Sequence, residues 1–386
     1  MSCRRITGVW AVLPVAACVL AGAACGAPAP VSARPVAASP TAAASTPARP
    51  VALPAPWPER RIAPESVFTT GQAFDLATDV LYALVLQNPA RGGGSYTLQA
   101  TDLRTGVVRR GESYPVTGLS LVSGYLWVYG WPSAGTPPVL RQVGLGTLRT
   151  VRSVSLSTVS WTSGVAPGPA GSVWVGAYRT LLRMSVSNGA VLARAALPAG
   201  LGLSDLAAGP DGAYLYVSAA HVVAGGAMDG AVLLEYSART GRLLAETDRP
   251  VSYSVAGAEL TAVPGGVWVS FRTGSLGRSV LLSERSLSTI IAPGADGSPG
   301  SVYYWPMFSA SVYGAGALWV TTQTGLVACV NPATGTVRAS ELVTSQAAQL
   351  SGLLAADGAA GEVFGLAAND GYGGLVTITP PRDCWG

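Results

Sequence analysis

Beyond residue 60 the chain is a series of short apolar runs separated by clusters of glycine, proline, aspartate and serine, without the 3.6-residue period of an amphipathic helix. Seven runs carry an aromatic residue at the same place, and successive aromatic residues are 42 to 52 residues apart. The runs are Leu81–Val85, Leu126–Val128, Val173–Val175, Leu215–Val217, Val267–Val269, Leu318–Val320 and Val363–Gly365. Each run predicts a buried β-strand, and the spacing predicts a structural repeat.

A turn signature follows most of these runs. It consists of an Asp, Asn or Ser, three further residues and a glycine, as in Asp102–Gly106, Ser185–Gly189, Ser237–Gly241 and Asn331–Gly335. The Asp, Asn or Ser side chain can bond to the backbone just ahead of it, and glycine accepts a positive φ, so the segment predicts a tight hairpin. Another turn signal, such as Pro210-Asp211-Gly212, precedes several of the aromatic runs. The pattern of apolar runs and turns therefore predicts four strands in each repeat.

A four-stranded unit with this period is typical of a β-propeller blade. We expect an all-β, seven-bladed β-propeller over residues 61–386, with six or eight blades as the alternatives if the first or last repeat is misread. The last repeat ends one strand short. We expect the N-terminal segment around Arg61 to Phe68 to supply that strand, because circular closure removes an exposed sheet edge. The aromatic residues are expected to pack blade against blade.

Three segments carry a resemblance to a known family: Gly266–Val269, Pro210–Val217 and Val330–Gly335. With these motifs the chain resembles the YVTN and quinoprotein-like (PQQ-like) propellers, a group that includes virginiamycin B lyase, over roughly residues 66–386. The resemblance implies the architecture and is nearly silent on function. The chain has one histidine, His221, whereas the lyases use two, and no tryptophan follows Thr105-Gly106 or Thr334-Gly335 as in quinoprotein docking motifs. No cofactor is therefore expected.

Residues 1–25 have the parts of a secretory signal. Arg4 and Arg5 precede an apolar run from Ile6 to Leu20, and small residues lead to Cys25. The alternative is a permanent membrane anchor, for which this segment is just long enough. Cys25 resembles the lipidated cysteine of a bacterial lipobox, although Gly22 stands where leucine is usual. Simple secretion after an Ala-x-Ala site remains the alternative to lipidation.

Residues 26–60 are rich in alanine, proline, serine and threonine and have few large apolar residues, which predicts a disordered tether. We therefore expect an exported protein on the outer face of the cytoplasmic membrane, held by a lipid anchor, or a secreted one. After the leader only Cys329 and Cys384 remain, and in an oxidising compartment they predict a disulfide. Two unpaired buried cysteines are the alternative.

The composition excludes several kinds of chemistry. All 24 basic residues are arginine, which rules out lysine-based catalysis and, with the excess of alanine, is typical of a GC-rich, actinobacterial genome. The net charge of +4 is too weak and too scattered for a nucleic-acid interface. His221 alone cannot provide a zinc cluster, and Gly92-Gly93-Gly94 lacks the lysine of a phosphate loop. Asp229 could bind calcium but more often such an Asp-Gly forms a turn. No metal site and no catalytic residue are predicted.

In a four-stranded blade, the loops between the second and third strands and the connectors between blades emerge on one face. Variable loops on a repetitive scaffold are where binding usually resides. The aromatic and polar residues that these segments carry form the candidate binding face: Trp131, Trp161, His221, Asp229, Arg272, Arg278, Tyr304 and Trp305. Arginine and aromatic side chains suit protein, peptide or glycan surfaces, and ordinary loop decoration is the alternative.

The leading hypothesis is a non-enzymatic binding or scaffold module of the cell envelope that presents this face to a protein, peptide or glycan. The rival hypothesis is a lyase or hydrolase of the virginiamycin B lyase-like type, with His221, Asp229 and nearby acids converging on the central channel. The rival requires these side chains to lie within hydrogen-bond reach of one another.

Overall fold

The computed structural model describes residues 59–61, 69–86, 96–115, 118–130, 139–156, 164–223, 228–249, 259–273, 276–291, 305–306, 310–321, 326–342, 349–369 and 372–385. These residues belong to one compact unit that spans Pro54–Gly386. The predicted signal peptide, Cys25, Gly92-Gly93-Gly94 and nearly all of the predicted tether lie outside the described residues. Within the described ranges no helix is long and apolar enough to cross a membrane.

The described regular structure is β-strand, apart from one 3-10 turn at Arg382–Cys384. Blade 1 contains β2 (Thr69–Asp75), β3 (Val80–Leu86), β4 (Tyr96–Asp102) and β5 (Val108–Tyr114). Blade 2 contains β6 (Gly118–Val122), β7 (Tyr125–Tyr129), β8 (Val139–Gly144) and β9 (Thr150–Ser155). Blade 3 contains β10 (Gly164–Pro167), β11 (Ser172–Ala177), β12 (Thr180–Ser185) and β13 (Val191–Ala196). Blade 4 contains β14 (Leu201–Ala208), β15 (Tyr214–Val222), β16 (Met228–Ser237) and β17 (Leu243–Arg249).

The remaining blades vary this pattern. Blade 5 contains β18 (Glu259–Val263), β19 (Gly266–Thr273), β20 (Leu276–Ser283) and β21 (Thr289–Ile291), with a short extra strand, β22 (Trp305–Pro306), paired to β20. Blade 6 contains β23 (Ala310–Gly314), β24 (Ala317–Thr321), β25 (Leu326–Val330) and β26 (Val337–Leu342). Blade 7 contains β27 (Gln349–Asp357), β28 (Glu362–Asn369), β29 (Tyr372–Ile378) and, as its outermost strand, β1 (Glu59–Arg61).

The seven sheets form a closed ring. Neighbouring strands within each blade are antiparallel, and the first strand of every blade contacts the first strands of both neighbouring blades, including β27 with β2. The first strands therefore surround a central channel. The predicted seven-bladed β-propeller is confirmed, and the six- and eight-bladed alternatives are wrong.

The aromatic residue of each second strand is buried, as the apolar runs predicted. Trp127, Trp174, Trp268 and Trp319 are at most 1% exposed. The Trp174 indole in blade 3 donates a hydrogen bond to the Ala238 carbonyl oxygen of blade 4, at 2.9 Å. Such residues bury about 150–250 Å² each and dominate the packing energy. They join adjacent blades, which confirms their expected role in the core.

Seven apolar clusters hold the ring together, one at each blade interface. Among the described residues, the cluster between blades 3 and 4 is the largest, whereas the cluster between blades 7 and 1 has three buried members. There the Phe74 and Phe364 rings lie 4.4 Å apart, centroid to centroid. Because each blade packs only on its neighbours, stability is distributed over these interfaces.

The predicted hairpin turns are formed as expected. The amide N–H of Gly241 donates to the Ser237 carbonyl oxygen at 2.8 Å, and Gly241 has a φ of +72°. The turns that end at Gly106, Gly189 and Gly335 have the equivalent hydrogen bond, and each of these glycines also has a positive φ. The residue at the first turn position also bonds to the backbone ahead, as Asp102 Oδ1 does with the Thr105 N–H at 2.9 Å.

The N-terminal segment closes the ring, with a strand that begins slightly before the segment expected. Glu59–Arg61 pairs with β29 in the register Glu59–Ile378, Arg60–Thr377 and Arg61–Val376. The strand therefore begins two residues before the predicted domain boundary and overlaps the expected segment around Arg61 to Phe68 at Arg61, while residues 62–68 lie outside the described residues. The segment carries three charged residues, so no apolar pattern marks it. An outermost strand needs little apolar surface, because only its backbone has to pair.

Cys329 of β25 and Cys384 of the final 3-10 turn form a disulfide, with their Cα atoms 5.6 Å apart. Both residues are fully buried. The neighbouring Trp319 and Trp385 rings lie 4.9 Å apart, centroid to centroid. The disulfide thus fixes the segment that follows blade 7 to blade 6. Blade 7 is also the blade that the N-terminal strand β1 completes.

Candidate functional site

The two faces of the ring differ. On one face, called here the turn face, lie the tight turns that join first to second and third to fourth strands. On the other, the loop face, lie the second-to-third-strand loops and the connectors between blades. In blade 5 the inner strand begins at Glu259, opposite Ser270, and the hairpin continues for three residues to Thr273. Three residues of strand correspond to about 10 Å.

His221 and Asp229 lie at the outer end of the blade 4 hairpin. They are directly opposite each other in the register of β15 and β16. His221 is exposed, and its ring carbon Cδ2 lies beside Gly230. The structure therefore brings together the backbones of two residues from the predicted face.

Arg272 and Arg278 occupy the blade 5 hairpin, where Arg272 is opposite Gly277 and Phe271 is opposite Arg278. Trp305 joins them, since β22 pairs with β20 and sets Trp305 opposite Gly277. We name the two hairpin ends, residues 221–222 with 228–229 and residues 271–273 with 276–278, the blade 4–5 ridge. The other predicted residues of the face, Trp131, Trp161 and Tyr304, lie outside the described residues.

Asp205 lies deeper, on the first strand of blade 4. A β-bulge between Leu203 and Asp205 shifts the register at this point. The Asp205 carboxylate accepts two backbone hydrogen bonds, from the Leu206 N–H at 2.8 Å and from the Leu260 N–H of blade 5 at 2.9 Å. A first strand is the inner edge of its sheet, so its outward N–H groups need partners from elsewhere. Asp205 supplies one and joins blades 4 and 5.

Glu259 precedes Leu260 and is the first residue of β18, so it stands where the channel opens onto the loop face. We call Asp205 and Glu259 the channel-mouth pair. Water reaches the Glu259 side chain, which is exposed within the channel, while protein surrounds it on the other sides. Burial and, to a smaller extent, the nearby Asp205 charge together raise the pKa of Glu259 to about 8. Burial also raises the pKa of Asp205, although its two N–H bonds oppose this effect.

Tyr129 of blade 2 belongs to the same electrostatic environment. Burial raises the pKa of its phenol, its hydrogen bond with Ser120 lowers that pKa, and the Asp205 charge raises it. The two hydroxyl oxygens are 3.1 Å apart. The Tyr129 ring lies against Gly118, where an added Cβ would fall 2.2 Å from the ring, so no larger residue fits there. The loop-face end of the channel is thus polar and acidic.

The channel-mouth pair was missed by the sequence reasoning. The available signal was Asp205 inside the otherwise apolar and small-residue strand Leu201–Ala208, with Glu259 in the corresponding strand of the next blade. A second contact between first strands, two residues after Glu259, shows that this part of the channel also joins neighbouring blades. The Thr261 hydroxyl lies 2.6 Å from the Ser311 hydroxyl and 3.1 Å from the Ser311 carbonyl oxygen, joining blades 5 and 6.

The register keeps His221 away from this pair. His221 is opposite Leu201 and Asp205 is opposite Ser218, a separation of about 10 Å along the strands. In the described part of the chain no three His, Cys, Asp or Glu side chains form a group that could hold a metal ion. A carboxyl group with a pKa near 8 can exchange a proton at neutral pH.

No family model matches this chain, and no curated protein matches it. Among solved structures, BamB from Moraxella catarrhalis aligns with 81% of this chain and 84% of its own, at 16% identity and a TM-score of 0.50. The Cps50 (Swd1) β-propeller domain from Myceliophteria thermophila aligns with 83% of this chain and 100% of its own, at 14% identity and a TM-score of 0.55. A chain of the mitotic checkpoint complex aligns over 86% and 98%, at 8% identity and a TM-score of 0.58. At these identities the similarity shows a shared propeller fold.

Proposed function

We propose that this chain is a non-enzymatic binding scaffold of the cell envelope, which presents its loop face to a protein partner. The blade 4–5 ridge carries the proposal. The loop-face ends of two adjacent hairpins bring His221 and Asp229, and Arg272, Arg278 and Trp305, to the same side of the ring. Exposed positions on a rigid repeat scaffold are suited to recognition.

Rigidity supports this role. The ring is closed by β1 on β29, and the Cys329–Cys384 disulfide ties the chain end to blade 6. A surface that is ordered before binding loses less conformational entropy when it binds. The disulfide also supports export, because such bonds persist in oxidising compartments. In this proposal Cys25 carries the lipid anchor, and residues 26–60 tether the propeller to the outer face of the membrane.

One structural neighbour is a chain of the mitotic checkpoint complex, so the same fold serves inside a protein assembly. We take this only as support for the kind of partner, since the shared feature is the fold. Arg272 and Arg278 favour an acidic surface on that partner. For the enzyme alternative, the register sets His221 opposite Asp229, as that hypothesis requires, but about 10 Å along the strands from Asp205.

The test is site-specific photocrosslinking of the full chain in cells that export it. A photoreactive residue replaces His221 or Arg278 on the ridge and, as matched controls on the turn face, Thr105 or Thr334. We expect one or a few defined protein adducts from the two ridge positions and none from the controls. Adducts that a glycosidase removes and a protease leaves intact identify the glycan alternative. No adduct from the ridge, or equal adducts from both faces, overturns the proposal.

A further inference from the structure

The turn face of blade 4 contains an open cleft of about 1000 Å³. One wall is the turn Pro210–Tyr214, the other is formed by Ser237, Arg239, Thr240, Arg242 and Leu244, and Gly168 and Pro169 of blade 3 close one end. The volume is at the upper end of the range for small-molecule sites. The cleft lies on the face opposite the blade 4–5 ridge, so it is independent of the proposed partner site.

The second wall is held in place by blade 3. The Trp174 indole donates to the Ala238 carbonyl oxygen, and an Arg183 guanidinium N–H donates to the Arg239 carbonyl oxygen. Gly241 fits closely here, since a Cβ at that position would lie 3.0 Å from Trp174 Cη2. The backbone that carries Arg239 and Arg242 is therefore fixed before any ligand arrives.

The cleft is rich in hydrogen-bond donors. Ser237 Oγ accepts from the Thr240 N–H, and Thr240 Oγ1 accepts from the Arg242 N–H, both at 3.3 Å. Tyr214 Oη accepts from Arg285 Nε at 2.8 Å. Each hydroxyl uses its oxygen within the protein, so its hydrogen is left to donate to a ligand.

The charged side chains of the cleft favour the same kind of ligand as its hydrogen-bond donors do. Arg239 and Arg242 are exposed and form no ion pair within the described ranges. The acidic residue of the cleft is Asp211, and its Oδ1 already accepts the Ala213 N–H at 2.9 Å. Two guanidinium groups and three hydroxyl hydrogens thus face one partly engaged carboxylate.

We propose that this turn-face cleft binds an anionic group, a carboxylate or a phosphate. Arg239 and Arg242 supply charge-assisted hydrogen bonds, and the Ser237, Thr240 and Tyr214 hydroxyls complete the set. A guanidinium group matches the planar carboxylate or two phosphate oxygens with paired N–H groups. Asp211 limits the site to ligands whose anionic group approaches from the arginine wall.

The test is isothermal titration of the purified propeller with inorganic phosphate and, separately, with succinate at constant ionic strength. Arg239→Ala/Arg242→Ala is expected to weaken binding by about tenfold or more, since it removes both charge-assisted contacts. Arg110→Ala/Arg194→Ala is the matched control, because it removes the same charge from exposed positions on β5 and β13. Thr240→Val keeps both arginines and is expected to weaken binding about threefold through one lost donor.

Each outcome is informative. Binding of phosphate alone assigns the site to phosphate, and binding of both ions assigns it to anionic groups in general. If neither ion binds the native propeller, or if both double variants lose affinity equally, the proposal is wrong. Circular dichroism and the thermal midpoint of each variant show whether it is folded. The photocrosslinking result for the loop face is unaffected by any of these outcomes.

Discussion

Replacing Glu259 with glutamine should change how the stability of the propeller depends on pH. The folded-state pKa of Glu259 is raised from the ordinary glutamate value of 4.5 to about 8. The folded protein therefore retains a proton on this carboxyl that the unfolded chain releases near pH 4.5, so stability is lost as the pH rises from about 4.5 to 8. Below the unfolded pKa both states are protonated and the residue imposes no penalty.

The size of the effect follows from the two pKa values. An unscreened difference of this size corresponds to about 5 kcal/mol of unfolding free energy. Because water reaches Glu259 in the channel, solvent screening reduces the expected value to about 1–2 kcal/mol. Glutamine has nearly the same shape and never ionises. Glu259→Gln should therefore equal the native protein at pH 3 and exceed its stability by about 1–2 kcal/mol at pH 9.

The assay is urea unfolding at a series of pH values from 3 to 9, followed by the fluorescence of the protein's 10 tryptophans. The informative quantity is the difference between variant and native protein at each pH, because groups common to both cancel. Glu246→Gln is the control, since Glu246 is an exposed carboxylate on the fourth strand of blade 4. Parallel curves for the native protein and Glu259→Gln would refute the reasoning, as would an equal divergence for Glu246→Gln.

Three further predictions concern packing and closure. Trp174→Leu should lower the unfolding free energy by about 3–4 kcal/mol in urea titrations, because it removes a buried ring and its hydrogen bond to Ala238. A loss under 1 kcal/mol would contradict the packing described. Cys329→Ser/Cys384→Ser should cost about 2–4 kcal/mol, since the bridge closes a loop across a sequence separation of 55, and an unchanged midpoint would show that the disulfide does not contribute. Gly241→Ala should destabilise the propeller by about 2 kcal/mol and Gly106→Ala by about 1 kcal/mol. Both glycines have a φ near +70°, but only at Gly241 would the added Cβ lie 3.0 Å from Trp174. Equal midpoints of the two variants in thermal unfolding would argue against a close fit at Gly241.

The sequence predicted those features that have a local chemical signature. Gly241 and the other turn glycines have a positive φ that few residues tolerate, and Trp174 and the other aromatic residues mark second strands because burial demands a large apolar side chain. The fold followed from the spacing of these signals. The start of the closing strand was placed two residues too late because Glu59–Arg61 contributes only backbone pairing, which no side-chain pattern records.

The candidate site was only partly predictable. His221, Asp229, Arg272 and Arg278 were assigned to loops, but they lie in strands, because the second and third strands of blades 4 and 5 continue through these positions. The Asp205 carboxylate was missed since its role depends on a bulge and on an N–H group 55 residues further along the chain. Contacts between blades depend on the ring geometry, and no local pattern of residues encodes them.

The pairing of β1 with β29 also sets the order in which the molecule can be completed. A ribosome or an export channel releases Glu59–Arg61 at the start, whereas its partner Val376–Ile378 emerges more than 300 residues later. Until then the blades form an open arc, stabilised only by contacts between neighbours. A truncated chain without blade 7 leaves Glu59–Arg61 without its strand partner, and unpaired edges are prone to aggregation. Ring closure therefore has to wait for blade 7, because the two strands that complete the last sheet come from opposite ends of the propeller sequence.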